Sequence, residues 1–493
     1  MVPLGLSTTF EKGLRVLSYG ARNYTILDKA KKSIMAKNKR IIERIAEAPA
    51  SALDSTVTQT EKLAHNLPTD RTIAQIKKTR QYWHNLGPGL TTGASDDDPS
   101  GIATYSQTGA QYGFQLLWLS VFTFPLMSFV QEMCARIGLV TGRGLAGNIR
   151  RHFSKRILYI CTFLLFAANS INIGADLGAM AKAVQLLAPQ TNFTMLVIGF
   201  ALFSLALQIY TPYSRYAKYL KWLALVLLAY VASAILAKLD WQEVFSSAFI
   251  PSIEWSKEQI ILICAILGTT ISPYLFFWQT SQEVEEQILD GKTTMVSRQG
   301  TDKMEVKKMR FDVWTGMLLS NIVMFFIIAA CGAILYPQGI TNIATAADAA
   351  EALRPFAGDA SYWLFAIGII GTGLLAIPVL AGASSYAVSE TFNWKQGLSR
   401  NLHQAYPFYG VMIFSVLIGL AINFLGIDPM KALIYAAVIN GLVAAPVLAL
   451  IVILSSDKKI MGDWTNRKSL KVTGWGVVSI MALTGAAAIW ALF

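Results

Sequence analysis

Long apolar stretches alternate with short polar ones along the chain, and many of the apolar stretches approach the roughly 20 residues that a helix needs to cross a ~30 Å hydrocarbon core. Counted between charged or Pro/Gly-rich gaps they number eleven: 86–109, 114–140, 156–183, 192–211, 217–238, 258–281, 312–335, 361–388, 407–425, 430–455 and 470–492. Two are interrupted. The first contains "GASDDDPSG" and the sixth contains "GTTISPY" at 268–274. Each joins a Gly, polar residues and a Pro in mid-span, where Pro removes a backbone donor and frees the carbonyl four residues earlier.

Composition fixes the class. Of 493 residues 54% are hydrophobic and 15% charged, which is too apolar for a soluble chain of this length. The net charge of +12 would suit a nucleic-acid binder, but its placement argues otherwise. Of 42 Lys and Arg, 36 fall in the N-terminal segment or in the loops after spans two, four, six, eight and ten. Only Lys238, Lys257, Arg354 and Lys431 fall in the opposite loops, with Arg136 and Lys182 near span ends. That alternation follows the positive-inside rule for a cytoplasmic N-terminus, an odd number of spans and a C-terminus on the other side. The basic balance is thus topological, and no nucleic-acid partner is expected.

With this topology span one runs outward and span six inward. Corresponding broken helices of opposite direction mark an inverted repeat with its site at the bilayer midplane. The expected fold is an all-α polytopic membrane protein, LeuT-like, with an inverted five-helix repeat (helices 1–5 and 6–10) and an eleventh helix. The expected division is a basic cytoplasmic extension at 1–80 and a transporter domain at 81–493. No signal-type apolar segment is expected in 1–80. Its charged run "KAKKSIMAKNKRIIERIAEA" at 29–48 sets Ile34, Ile41, Ile42 and Ile45 near one helical face, so anionic lipid is a candidate partner for it. Cys134, Cys161, Cys264 and Cys331 fall inside spans without paired spacing and read as packing residues.

Unwound backbone at membrane depth is tolerated where it is buried or lines a cavity, and free carbonyls beside carboxylates favour a cation. Asp98, next to Pro99, is the first candidate ligand, with Asp97 a further one. Asp96 and Asp97 lie on other helix faces and cannot all converge with Asp98 on one ion. From span six come the freed carbonyl of Thr269 and the hydroxyl of Ser272, and Asn440 in span ten is a candidate either to complete the set or to bond between helices. All these groups are oxygen donors save the amide nitrogen of Asn440. A hard cation that keeps part of its water, as Mg²⁺ does, suits them, whereas the Met, Cys or His that would hold softer ions are absent from both breaks. Asp176 in span three, near Asn169 and Asn172, is a candidate proton site or a structural hydrogen-bonding group. His65, His84, His152 and His403 all lie in the tail, at a span entrance or in loops, so the membrane interior lacks the usual near-neutral proton carrier.

The stretch "GPGLTTGASDDDPSGIATYSQTGAQYGFQLLW", with "ARIGLVTGRGLA" at 135–146, resembles the first-helix region and following segment of the NRAMP family of divalent-metal transporters. The family motif there is Asp-Pro-Gly-Asn, followed by similar Ala-Thr and Gly-Ala-Gln runs. The resemblance implies that Gly101 stands at the family's metal-ligating Asn, and that Ser272-Pro273-Tyr274 replaces its Met-Pro-His. It further implies that Gln279 falls at a second family His, while Asp176 is kept and its acidic partner becomes Ala179. The pattern is most like the NRAMP-related magnesium transporters.

The resulting expectation is Mg²⁺ uptake across the plasma (inner) membrane by alternating access, with weak or no proton coupling and no resident cofactor. Two charges crossing 100 mV gain about 4.6 kcal/mol, a concentration ratio of roughly a thousandfold, so the membrane potential suffices. Proton-coupled Mn²⁺ or Fe²⁺ uptake on the same fold, an organic-solute symporter and a non-transporting receptor stay open as alternatives.

Overall fold

The computed structural model describes residues 87–211, 239–343, 346–351 and 361–492, together with 231–232, 234–235 and 358. The tail expectations for 1–80, and nearly all of the fifth expected span, lie outside these residues. Each of the other ten expected spans falls on a described helix. The first is split into α1 (Pro88–Asp96) and α2 (Pro99–Tyr112), and the second is α3 (Trp118–Thr141). A short α4 (Leu145–His152) precedes α5 (Lys155–Leu187) and α6 (Phe193–Tyr210). After the short α7 (Trp241–Phe249), the sixth span is split into α8 (Lys257–Thr270) and α9 (Pro273–Leu289). Then follow α10 (Lys303–Ile334), α11 (Ser361–Phe392), α12 (Tyr406–Ile422), α13 (Pro429–Ser456) and α14 (Lys468–Leu492).

By length and apolarity, seven of the described helical segments can cross a membrane unaided, and Tyr406–Ile422 is a shorter apolar helix. The boundaries expected from hydropathy shift most at α9 and α10, which extend beyond their apolar runs. There the helices run on through polar residues: Gln282, Glu283, Glu285 and Gln287 of α9 are buried against protein, and Asp302 starts α10 by accepting from the amides of Met304 and Glu305.

The two breaks form for the reason the sequence suggests. Pro sits at the first position of α2 and of α9, where its missing donor costs the helix nothing. Around them the halves cross-pair. α1 packs against α9 and α2 against α8, so the first half of each broken span meets the second half of the other. That is the pairing expected of segments running in opposite directions. α5, α6, α11 and α12 pack on one another as a second group, while α10 lies along both halves of the first span.

Glycine sets how closely some of these helices meet. A Cβ on Gly93 would lie 2.2 Å from the Gly316 carbonyl oxygen, and one on Gly316 would lie 2.1 Å from that of Gly89. Backbone therefore touches backbone along α1 and α10, the small-residue packing membranes favour. At the end of that seam Asp312 accepts from the amides of Gly87 and Gly89, both at 2.6 Å. Those amides belong to the unsatisfied first turn of α1.

Candidate cation site

The three carboxylates of the first break are buried at 0–1% exposure, but they are not equivalent. Asp97 and Asp98 fall between the two half-helices, and Asp98 adopts the extended conformation of an N-cap. Its Oδ1 accepts from the Gly101 amide at 2.7 Å and the Ser100 hydroxyl at 2.6 Å, while Oδ2 accepts from Asn172 Nδ2 at 2.8 Å. A carboxylate has about four lone-pair positions, so Asp98 is anchored by three donors and keeps capacity for a ligand.

Asp96 and Asp97 turn toward α10. Ser320 donates to Asp96 Oδ2 at 2.6 Å and approaches Asp97 Oδ1 at 3.3 Å. Asp96 Oδ1 and Asp97 Oδ2 have no hydrogen-bond partner among the described residues. Asp176 is buried on α5, and neither of its oxygens has one. Among the described residues, the ion pairs join Glu132 to Arg136 and Arg310, and Glu305 to Lys292. No Lys or Arg among them pairs with any of the four interior carboxylates. An uncompensated buried charge costs several kcal/mol, so each of these carboxyl groups is either protonated or met by a cation.

The second break supplies neutral oxygens. Ser272 donates its hydroxyl to the carbonyls of Gly268 at 2.6 Å and Thr269 at 2.8 Å, so the carbonyl that Pro273 frees is engaged within its own turn. What faces the first break is the Thr269 side chain. A Cβ built on Gly101 would stand 3.2 Å from Thr269 Oγ1 and 3.3 Å from the Asp96 carbonyl oxygen. Thr269 Oγ1 and the Tyr105 hydroxyl, both buried, lie near each other without a well-formed hydrogen bond, and neither has another partner among the described residues.

The breaks are also braced to each other. Pro99 frees the carbonyl of Ser95, and the Tyr274 hydroxyl donates to that oxygen at 2.8 Å. Gln279 accepts from Thr92 of α1 and donates to Glu283 at 2.9 Å, tying α9 to α1. Asn440 is buried with both side-chain polar atoms unpartnered among the described residues. Its neighbour Gly441 packs on Gly268, next to Thr269: a Cβ on Gly268 would meet the Gly441 amide nitrogen at 2.5 Å.

Of the residues singled out in the sequence, Asp98, Gly101 and Thr269 come together directly. Tyr274 and Gln279 act as braces between the broken spans, and Asn440 lies on a helix packed against the second break. Asp97 faces Ser320 as well as the break, and Asp176 lies one turn beyond Asn172 on α5. Sequence reasoning missed Ser320 and Asp312, although Ser320–Asn321 forms a polar pair inside an otherwise apolar span. Glu132 is paired with Arg136 four residues on, but not most closely. The shorter contacts of Glu132 are with α10: Arg310 at 2.8 Å and Trp314 Nε1 at 3.0 Å, against 3.6 Å to Arg136. Among the described residues no three His, Cys, Asp or Glu side chains converge closely enough to hold a metal ion by themselves.

Comparison with known proteins places the arrangement. A sequence model of the family described as natural resistance-associated macrophage protein-like, Nramp, matches residues 89–491. The crystal structure of the Eremococcus coleocola manganese transporter, in complex with an aromatic bis-isothiourea substituted compound, is similar at a TM-score of 0.63 and 20% identity. The match covers 82% of this chain and 86% of that one. Mhp1, a nucleobase-cation-symport-1 family transporter in a closed conformation with bromovinylhydantoin bound, is similar at a TM-score of 0.53 and 16% identity, over 82% and 91% of the two chains. MhsT in complex with L-phenylalanine aligns at 0.50 and 12% identity, over 83% and 98%. At these identities the likeness is one of fold, the LeuT-like transporter architecture.

Proposed function

The chain belongs to the Nramp family, a family of transporters and not of enzymes, and on that premise we propose that it carries divalent metal ions, with Mg²⁺ as its physiological cargo. The observation that carries the choice of ion is the donor set at the crossing of the two breaks. Asp98 and the Thr269 hydroxyl offer oxygen beside Gly101, which adds no side-chain ligand of its own, and neither break holds a Met, Cys or His side chain. A soft ligand would favour transition metals. An oxygen-only site with few direct ligands favours an ion that retains water.

In this reading Asp98 is the direct ligand, held by Ser100, Gly101 and Asn172 so that it need not reorganise. Thr269, Ser272 and Asn440 contribute oxygens directly or through water, and Asp97 adds negative potential. Tyr274 and Gln279 hold the broken helices in register. Asp176 is a second, uncoupled carboxylate, and the potential alone drives uptake into the cytoplasm across the plasma membrane, with the N-terminus cytoplasmic and no resident cofactor. Mn²⁺ uptake is the alternative, favoured by what the Eremococcus coleocola protein is named for.

The test is flux of Mg²⁺, Mn²⁺ and Ca²⁺ into proteoliposomes with an internal pH readout. Mg²⁺ flux without internal acidification, abolished by Asp98→Ala, is the expected result. Flux that survives Asp98→Ala, or that always carries protons, overturns this assignment. Gly101→Asn with Ser272→Met is expected to shift preference toward Mn²⁺. The 3.2 Å approach of a Cβ at position 101 to Thr269 Oγ1 makes Gly101→Ala the necessary steric control.

A further inference from the structure

A cavity of about 760 Å³ opens where the α3–α4, α9–α10 and α11–α12 connections meet. Arg143, Arg150, Arg151, Arg298, Lys395 and Arg400 line it, against two carboxylates, Glu285 and Glu390. Both carboxylates are committed to local donors. Glu390 accepts from the Gly147 amide in the first turn of α4 and from Gln396, each at 2.8 Å. Glu285 accepts from the Tyr386 hydroxyl at 2.7 Å and from the amides of Leu398 at 3.1 Å and Ser399 at 3.2 Å. None of the six cationic side chains forms an ion pair among the described residues.

The positive-inside rule explains why these loops are basic. It does not explain why six cations converge on one cavity without forming an ion pair among the described residues, while Lys292 and Arg310 nearby are paired. The cations also repel one another. Burial, and after it Arg151 and Arg150, holds the Arg143 guanidinium below the ordinary arginine range, against the pull of Glu390. Burial does the same to Arg298; Glu285 opposes it, and Arg143 and Arg400 add to the lowering. Arg298 is held rigidly in place by the carbonyls of Lys292 and Thr293, whereas Arg150, Arg151, Lys395 and Arg400 are exposed at the rim.

We propose that this cavity is a binding site for a multiply charged phosphate anion, separate from the cation path. Its volume is in the range of small-ligand sites. Arginine presents the planar, multi-donor fork that suits phosphate. An excess of four positive charges over carboxylates also makes the cavity a poor exit for a divalent cation. The same chemistry fits the polyphosphate of a nucleotide or the headgroup of a phosphorylated lipid.

The test is binding to the purified full chain in nanodiscs of neutral lipid, with ATP and pyrophosphate as probes in the presence of EDTA. A parallel arm uses nanodiscs containing phosphatidic acid. Saturable, salt-sensitive binding is expected, weakened at least tenfold by Arg150→Gln with Arg400→Gln and by Lys395→Gln, but unchanged by Lys468→Gln outside the cavity. Variants must keep the wild-type melting temperature. Binding of the soluble probes supports the site with a free ligand. Protection of Arg400 from chemical modification only in phosphatidic-acid discs supports it with a lipid headgroup. No binding and no protection in either arm, or equal binding by wild type and the double variant, overturns the proposal. The readout is independent of ion flux, so its outcome is separate from that of the transport assignment.

Discussion

Ser320 shows how a single hydroxyl governs the carboxylate triplet. It serves Asp96 and Asp97 at once, and no other described group donates to either side chain. Ser320→Ala leaves both carboxylates without that donor, a cost of about 1–3 kcal/mol. The expected outcome is a lower melting temperature that added Mg²⁺ restores only in part, measured in detergent by intrinsic fluorescence. Tyr274→Phe removes the only hydroxyl among the described residues that reaches the Ser95 carbonyl. It is expected to reduce flux while leaving ion selectivity intact, because Tyr274 braces the breaks without facing the ion. Asp98 and Gly101 were legible in the sequence because Pro99 marks the break. Ser320 was not, since a serine hydroxyl in a largely apolar helix more often bonds the carbonyl one turn back. Only tertiary packing shows that it does otherwise.

At the scale of elements, the breaks and their cross-pairing could be anticipated from two Pro-containing polar interruptions, and ten spans fall where apolar length put them. Hydropathy was silent on how the helices approach, because that depends on glycines whose role is to be absent. Gly93→Ala places a methyl 2.2 Å from the Gly316 carbonyl oxygen. The α1–α10 seam must then open, and loss of folded protein on size-exclusion chromatography is expected. Gly144→Ala meets a side-chain end instead of backbone, so it is Glu390 that must turn away. The added Cβ would fall 1.8 Å from Glu390 Oε1, in the place where that carboxylate meets the start of α4. The variant is expected to detach α4 from α11, detected as faster proteolysis at the α3–α5 connection. Glu390→Gln, which keeps the shape, is expected to be much milder. Hydropathy likewise cut α9 and α10 short, since it registers where lipid ends and not where helix ends.

For the whole molecule, the proposed uncoupled mechanism has a quantitative signature. With two charges crossing, each 100 mV is worth about 4.6 kcal/mol, so the final Mg²⁺ ratio should change about tenfold for every ~30 mV set by a K⁺ diffusion potential. It should not change when a pH gradient is imposed. A ratio that follows the pH gradient at fixed voltage would show proton coupling and give Asp176 a transport role.

The four interior carboxylates without a basic partner among the described residues also bear on kinetics. Under the proposed cation assignment, a site that takes its compensating charge from its cargo is least comfortable after the ion has left. The reorientation of the unloaded carrier is then the slow leg of the cycle, and the loaded carrier shuttles more readily. Isotopic Mg²⁺ exchange, with the ion present on both sides, should therefore outrun net uptake into vesicles that contain none.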